Sequence, residues 1–369
     1  MKVLLIFGTR PEAVKLAPVY QALNQSAHLE PLICLTSQHR ELVAPVLELF
    51  ELTPDFDLDV MTPGQSLDQL TARLVAALGD MFTKVRPAAA VVQGDTTSTL
   101  CGALSAFYHG VPVAHIEAGL RTGNMRSPFP EEMNRVLTTR LAKWHFAPTV
   151  HNQNALLDEG VDPNSIYVTG NPVIDALMQV RGRISAGNYS AVTADVLKRF
   201  QRPFVLVTGH RRESFGAPFQ ALCEGLRRLA QAHPDVDLVY PVHLNPQVRE
   251  PVERLLSDQN NIHLIEPLGY EPFLALMLKC RFIITDSGGV QEEGPALGKP
   301  VLVMRETTER IEAIGGAVRM VGTDPERIFT EGHALLTNPT HYAEMANAHS
   351  PYGDGTSAQQ IVAILERSL

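Results

Sequence analysis

The chain has 369 residues, enough for about two domains in place of one core. Hydrophobic residues make up 45% and charged residues 19%, the balance of an ordinary globular protein. A formal charge of -9 excludes a global basic footprint for nucleic acid, so an anionic substrate needs locally gathered cations.

The first apolar run, Val3 to Phe7, is too short for a secretory signal and carries no small-residue cleavage site. No stretch approaches the roughly 20 apolar residues of a membrane span. Cys34, Cys101, Cys223 and Cys280 show neither close pairing nor metal-ligand spacing, and read as free thiols of a reducing, cytoplasmic compartment.

Short apolar runs alternate with helical-period segments, predicting parallel-sheet α/β architecture. Strands are expected at residues 3–7, 31–36, 88–93 and 112–116. Leu67, Leu70, Leu74, Leu78 and Met81 mark a helix with one buried face. Another helix is expected from Pro130, with Met133, Leu137 and Leu141 on one stripe and Glu131 and Arg135 on another face. The second half repeats the plan, with strands expected at 204–208, 236–241, 262–264, 282–285 and 301–304. Gly170-Asn171-Pro172 reads as a hinge, residues 183–192 as a polar loop, and residues 357–369 as a last helix. The expected division is 1–170 and 171–356, with a cleft between two Rossmann-like domains receiving a ligand at the strands' carboxyl ends.

In Thr285-Asp286-Ser287-Gly288-Gly289-Val290-Gln291-Glu292-Glu293, a strand ends in a small-residue turn that opens a helix. Such a helix start can take a phosphate, with Glu293 placed for ribose hydroxyls; alternatively it is a plain turn with Ser287 as N-cap. Gly8-Thr9-Arg10-Pro11-Glu12 makes the same junction after the first strand, with Pro11 suited to the first helical position. Arg10 or Lys15 could neutralise a pyrophosphate there, or Arg10 could pair with Glu12 on the surface. Neither junction is G-x-G-x-x-G, which disfavours a bound nicotinamide.

Asp95, Glu117 and Glu131 stand where strands end or helices begin. Asp95 could be an N-cap and Glu131 an i,i+4 partner of Arg135. Glu117 directly follows an apolar strand and is harder to explain that way. Convergent carboxylates raise one another's proton affinity, as acid–base pairs require. His210, beside two arginines at a strand terminus, fits anion binding, whereas His243 reads as a buried, satisfied histidine. No His or Cys pattern fits zinc, and no metal is expected.

Together these motifs resemble the non-hydrolysing UDP-N-acetylglucosamine 2-epimerase family. The matches run in order from Phe7-Gly8-Thr9-Arg10-Pro11-Glu12-Ala13 through Gln38-His39-Arg40-Glu41, Gly94-Asp95-Thr96-Thr97 and His115-Ile116-Glu117-Ala118-Gly119 to Pro130-Glu131-Glu132-Met133-Asn134-Arg135. They continue with Gly209-His210-Arg211-Arg212-Glu213, Pro241-Val242-His243-Leu244-Asn245-Pro246, Thr285-Asp286-Ser287-Gly288-Gly289, Thr307-Thr308-Glu309-Arg310 and Pro351-Tyr352-Gly353-Asp354-Gly355. The resemblance implies a GT-B fold with the helix at 357–369 packing back on the first domain, no cofactor, and a homodimer. It implies that Arg10, Lys15, His210, Phe273, Ser287, Gly288, Gly289, Glu293 and Arg310 hold the nucleotide sugar. Asp95, Glu117 and Glu131 would be the acid–base carboxylates, supported by His210 and Arg135. Gln38, His39, Arg211 and His243 are candidates for a second, activating substrate site, although Gly64 stands where some allosteric members carry arginine. Ile311 replaces the family's usual proline and Ser214 its usual asparagine; Ile311 frees the backbone beside Arg310.

The implied reaction is inversion at C2 of UDP-N-acetylglucosamine, through UDP and 2-acetamidoglucal, to UDP-N-acetylmannosamine for surface polysaccharide. The alternatives are a GT-B glycosyltransferase, a hydrolysing 2-epimerase and a non-catalytic UDP-sugar sensor.

Overall fold

The computed structural model describes residues 1–37, 40–62, 64–209, 211 and 215–369. The strands form two parallel sheets. The first contains β1 (Lys2–Phe7), β2 (Glu30–Leu35), β3 (Phe56–Asp57), β4 (Ala89–Gln93), β5 (Val113–Ile116), β6 (Trp144–Ala147) and β7 (Ile166–Val168). The second contains β8 (Phe204–Thr208), β9 (Asp237–Pro241), β10 (Ile262–Ile265), β11 (Ile283–Thr285), β12 (Val301–Val303) and β13 (Val318–Met320). Val3 to Phe7 are all buried, as are all residues of β4, β5, β6 and β11. Strands covered on both faces need such unbroken apolar runs, which is why these stretches read as sheet.

The chain divides into two units: residues Met1–Ala176 with Tyr352–Leu369, and residues Leu177–Pro351. These limits lie a few residues from 170/171 and 356/357, for a local reason. Asn171 N–H donates to the Tyr352 carbonyl at 2.8 Å, and the Asp175 carboxylate accepts from Ser357 and Ala358 N–H at 3.2 and 2.8 Å. Both segments are therefore held by the first unit.

Around the first sheet run α1 (Arg10–Asn24), α2 (Arg40–Leu49), α3 (Leu67–Val85), α4 (Thr97–Tyr108), α5 (Glu131–Leu141) and α6 (Val150–Asp158), and α7 (Pro172–Ser185) begins there. Leu70, Leu74, Leu78 and Met81 of α3 share one core with Leu4, Ile6 and Val92, as their spacing predicts. The second unit carries α8 (Ala191–Arg199), α9 (Ala217–Ala232), α10 (Pro246–Leu256), α11 (Tyr270–Lys279), α12 (Gly288–Ala296), α13 (Pro325–Thr337) and α14 (Pro339–Ala346); α15 (Ser357–Ser368) returns to the first. Its core joins Val207, Leu238, Tyr240, Ile284 and Leu302 to Leu222, Leu226 and Leu229 of α9.

The segment read as a polar loop at 183–192 is shorter, because α7 continues to Ser185 and α8 starts at Ala191. Ser190 caps α8 by accepting from Thr193 N–H, while Glu271 accepts from Ser190 N–H at 2.9 Å and the Thr193 hydroxyl at 2.8 Å. The expected strand set also missed β3, β6, β7 and β13, which are only two to four residues long. Among the described residues no helix is long and apolar enough to cross a membrane.

Strand order fixes where chemistry can collect. The first sheet runs β3-β2-β1-β4-β5-β6-β7 and the second β10-β9-β8-β11-β12-β13. Order reverses between β1 and β4, and between β8 and β11. At such a switch point the loops leaving the two strands diverge and open a crevice beyond their carboxyl ends. The residues at Gly8–Glu12, Gln93–Thr97 and Asp286–Gly289, with Gly209 and Arg211, stand at the ends of those four strands.

Candidate active site

In the first unit, Glu12 is 1% exposed and joins two of these loops. Its Oε2 accepts from Gly8 and Thr9 N–H at 3.1 and 2.8 Å, and its Oε1 accepts from the Thr96 and Thr99 hydroxyls at 2.7 and 3.2 Å. Glu12 is therefore no surface partner for Arg10, which stands exposed as the first residue of α1, and Pro11 occupies the second helical position. Burial pushes the Glu12 carboxyl above its ordinary range, against the pull of those donors.

Lys15, expected as a pyrophosphate cation, is buried and forms an ion pair with Glu117. Glu117 follows β5 with a φ of 66°, a left-handed conformation that costs a non-glycine residue about 1–3 kcal/mol. Asp95 is not the cap of α4: Thr96 fills that position and accepts from Thr99 N–H. Instead, Asp95 Oδ2 accepts from Arg135 Nε at 2.9 Å, with Nη2 of the same guanidinium at 2.7 Å. Arg135 also donates to Glu132 at 2.9 Å, so it serves these carboxylates rather than Glu131 as an i,i+4 pair. Asn134 donates to the Asp95 carbonyl at 2.8 Å. Glu131, the first residue of α5, keeps a buried Oε2 with no hydrogen-bond partner. A buried carboxylate oxygen left this way is costly, which marks it as a candidate contact for a ligand.

His115, one residue before Ile116, anchors the other side of the Asp95 loop. Its Nε2–H donates to the Gly94 carbonyl at 2.8 Å, while its Nδ1 is buried without a partner. Burial pushes its pKa down to about 3, and that of its register neighbour His145 down to about 4. Both are neutral when folded but take up protons near pH 6.5 when unfolded, so each contributes stability that is present above about 6.5 and lost as pH falls toward 4. In urea titrations, wild type should lose its advantage over His145→Gln at about 1.4 kcal/mol per pH unit between pH 6 and 5. A wild-type-minus-variant difference that stays constant over that interval would contradict this.

In the second unit, α12 starts at the end of β11 with Ser287 in the N-cap position, yet the Ser287 hydroxyl makes no capping bond. A Cβ at Gly288 would stand 2.7 Å from Arg310 Nη1, so glycine is what lets that guanidinium lie over the helix start. Arg310 is buried between Glu292 (Nε to Oε1, 2.5 Å) and Glu309 (Nη1 to Oε1, 2.5 Å). Burial opposes the ionisation of Glu309, but Arg310 and then Arg305 outweigh it and hold the carboxyl well below the usual range. Ile311 begins a short 3₁₀ turn, and Arg310 just before it makes these ion pairs.

Glu293 accepts from the Tyr270 hydroxyl at 2.8 Å, and half-buried Phe273 sits in the same helix, α11, as Tyr270. Tyr270 was not singled out from sequence; its place three residues before Phe273 is the only signal. Asp286 accepts from Arg211 N–H at 2.7 Å, and Tyr240 donates to the Gly209 carbonyl at 3.0 Å. His243 is exposed, contrary to its reading as a buried histidine: the chain turns outward after β9, and His243 Nδ1 accepts from Asn245 N–H at 3.1 Å. Gln38, His39, His210 and Ser214 lie outside the described residues. Among the described residues no group of three or more His, Cys, Asp and Glu is placed to hold a metal ion.

A sequence model of the UDP-N-acetylglucosamine 2-epimerase family matches residues 21–366. The chain belongs to that family. A UDP-N-acetylglucosamine 2-epimerase of Yersinia pestis is 51% identical over 372 residues, covering 99% of this chain and 98% of that protein. The epimerase of Neisseria meningitidis, solved with UDP-N-acetylglucosamine, is 44% identical and superposes with a TM-score of 0.94 over the whole of both chains. That of Methanocaldococcus jannaschii, solved with UDP-N-acetylglucosamine and UDP, is 32% identical with a TM-score of 0.85, again over both whole chains. With its seven- and six-stranded parallel sheets, this member of the epimerase family has the GT-B fold.

Proposed function

We propose that this chain interconverts UDP-N-acetylglucosamine and UDP-N-acetylmannosamine by eliminating and re-adding UDP, supplying the latter sugar for surface polysaccharide. The observation that carries the mechanism is the grouping, in one unit, of Asp95 and Glu117 at adjacent strand ends with Glu131 opening α5. The C2 proton of the sugar is not beside a carbonyl, so direct removal is prohibitively hard. Departure of UDP changes that: a carboxylate takes the C2 proton, the C2–H electron pair becomes the C1=C2 bond, and the C1–O pair leaves with UDP. A carboxylic acid then protonates C2 of the glycal from the other face as UDP oxygen re-attacks C1.

The acid–base groups come from the first unit. Ser287, Gly288, Gly289, Phe273, Glu293 and Arg310 of the second hold the nucleotide, with Arg10 and His210 serving the diphosphate. Lys15 acts through Glu117. Gln38, His39, Arg211 and His243 would serve a second, activating substrate. A homodimer and a cytoplasmic location complete the reading; four buried, unpaired cysteines suit a reducing compartment.

In heavy water, newly formed UDP-N-acetylmannosamine should carry deuterium at C2, and recovered UDP-N-acetylglucosamine should acquire it over repeated cycles. Inverted product without deuterium would rule out exchange with solvent. Release of free N-acetylmannosamine in place of its UDP derivative would make the enzyme hydrolysing.

A further inference from the structure

We infer that Gln93 is a positioning residue for Glu117, an inference that rests on the function proposed above. Gln93 ends β4, and its side chain is buried at 2% exposure. Its Nε2 donates to Glu117 Oε2, the same oxygen that Lys15 Nζ engages. An amide NH₂ and an ammonium are donors, so both contacts use this one oxygen of Glu117 as their acceptor. The two donors fix the rotamer of Glu117. A carboxylate so held is set to accept the C2 proton.

The surroundings leave Gln93 little freedom to do anything else. Its carbonyl accepts from the Thr99 hydroxyl at 2.7 Å, and Thr99 also donates to Glu12 at 3.2 Å. On the facing strand, the Ile116 carbonyl accepts from Gly94 N–H at 3.0 Å and Ala118 N–H donates to Phe146 at 3.0 Å. The left-handed turn at Glu117 is thus pinned on both sides by the sheet, and Gln93 and Lys15 orient what projects from it. Lys15 supplies charge; Gln93 supplies a neutral donor whose strength does not change with pH.

Gln93→Met keeps length and apolar volume but removes the donor. With a hydrogen bond to a charged group lost, kcat should fall about 10- to 100-fold, while the Kd for UDP, held by the second unit, stays within twofold. The acidic limb of the pH dependence of kcat/KM should move up, because a donor to the Glu117 carboxylate is gone. Gln93→Glu keeps the shape and places a second carboxyl against Glu117; the pair then shares a proton and the limb moves up further. Wild-type kcat and an unmoved limb in both folded variants would overturn the inference. Carbon-13 NMR titration of Glu117, assigned with Glu117→Gln, reads the contact without turnover. If the wild-type protein fails to invert the sugar, the proposed function fails, whereas an unchanged Glu117 titration in Gln93→Met would sink the positioning role alone.

Discussion

Asp95→Asn, Glu117→Gln and Glu131→Gln are each expected to bind UDP with wild-type affinity and to turn over about 10²- to 10⁴-fold more slowly. The three changes remove charge and proton transfer with little change of shape, and most of the nucleotide contacts proposed above lie in the second unit. Their structural consequences differ. Asn at 95 keeps an acceptor for Arg135, which retains Glu132, so the loop should hold. Gln at 117 brings a donor face toward Lys15 and Gln93 and must turn its carbonyl to them. Gln at 131 should cost the fold nothing, since Glu131 Oε2 has no partner to lose. Calorimetric UDP titration beside a coupled turnover assay separates binding from chemistry. A variant with near-normal turnover leaves the acid–base set.

Arg310→Ala should destabilise the protein by on the order of 3–5 kcal/mol, because a buried guanidinium is taken from between two buried carboxylates. Glu309 retains Arg305 at 3.2 Å, while Glu292 loses the guanidinium that Arg310 Nε sets against it. Removing that charge as well, in Arg310→Ala/Glu292→Gln, should recover part of the stability, which independent sites would not do. Urea midpoints of the single and double variants test this. A single variant as stable as wild type would refute it. The sign with pH is also fixed: Glu309 lies below its unfolded value, so its contribution is full above about pH 4.5 and lost as pH falls further. Lost activity in Arg310→Ala should therefore be read beside its stability, and Arg310→Lys, which keeps charge but not the fork, is the better probe of diphosphate contact.

Fold class was legible because buried parallel strands leave unbroken apolar runs such as Val3 to Phe7, and because loops after β1, β4, β8 and β11 carry small and charged residues side by side. Trp144–Ala147 hid because four residues centred on a histidine look like no strand in isolation. At the candidate site, residue types at strand ends were readable but partnerships were not. Lys15 and Glu117 are 102 residues apart, and nothing local says that the lysine answers a carboxylate before any phosphate. Glu12 looked like the neighbour of Arg10 because sequence shows only adjacency; burial turned it to Gly8, Thr9, Thr96 and Thr99. Gln93 was invisible, since a neutral amide at a strand end carries no signal until its acceptor is known.

The return of the chain at Tyr352 has a consequence for how the protein is made. Synthesis runs from the amino end, so the second unit, one continuous stretch from Leu177 to Pro351, emerges whole while the first is still unfinished. Until Ser357 and Ala358 leave the ribosome, Asp175 is without its two backbone donors and α1 without the helix that packs on it. The unit begun first is completed last. A stop codon shortly before residue 352 would spare every strand of both sheets, yet it would leave the half that carries the carboxylates open along one side.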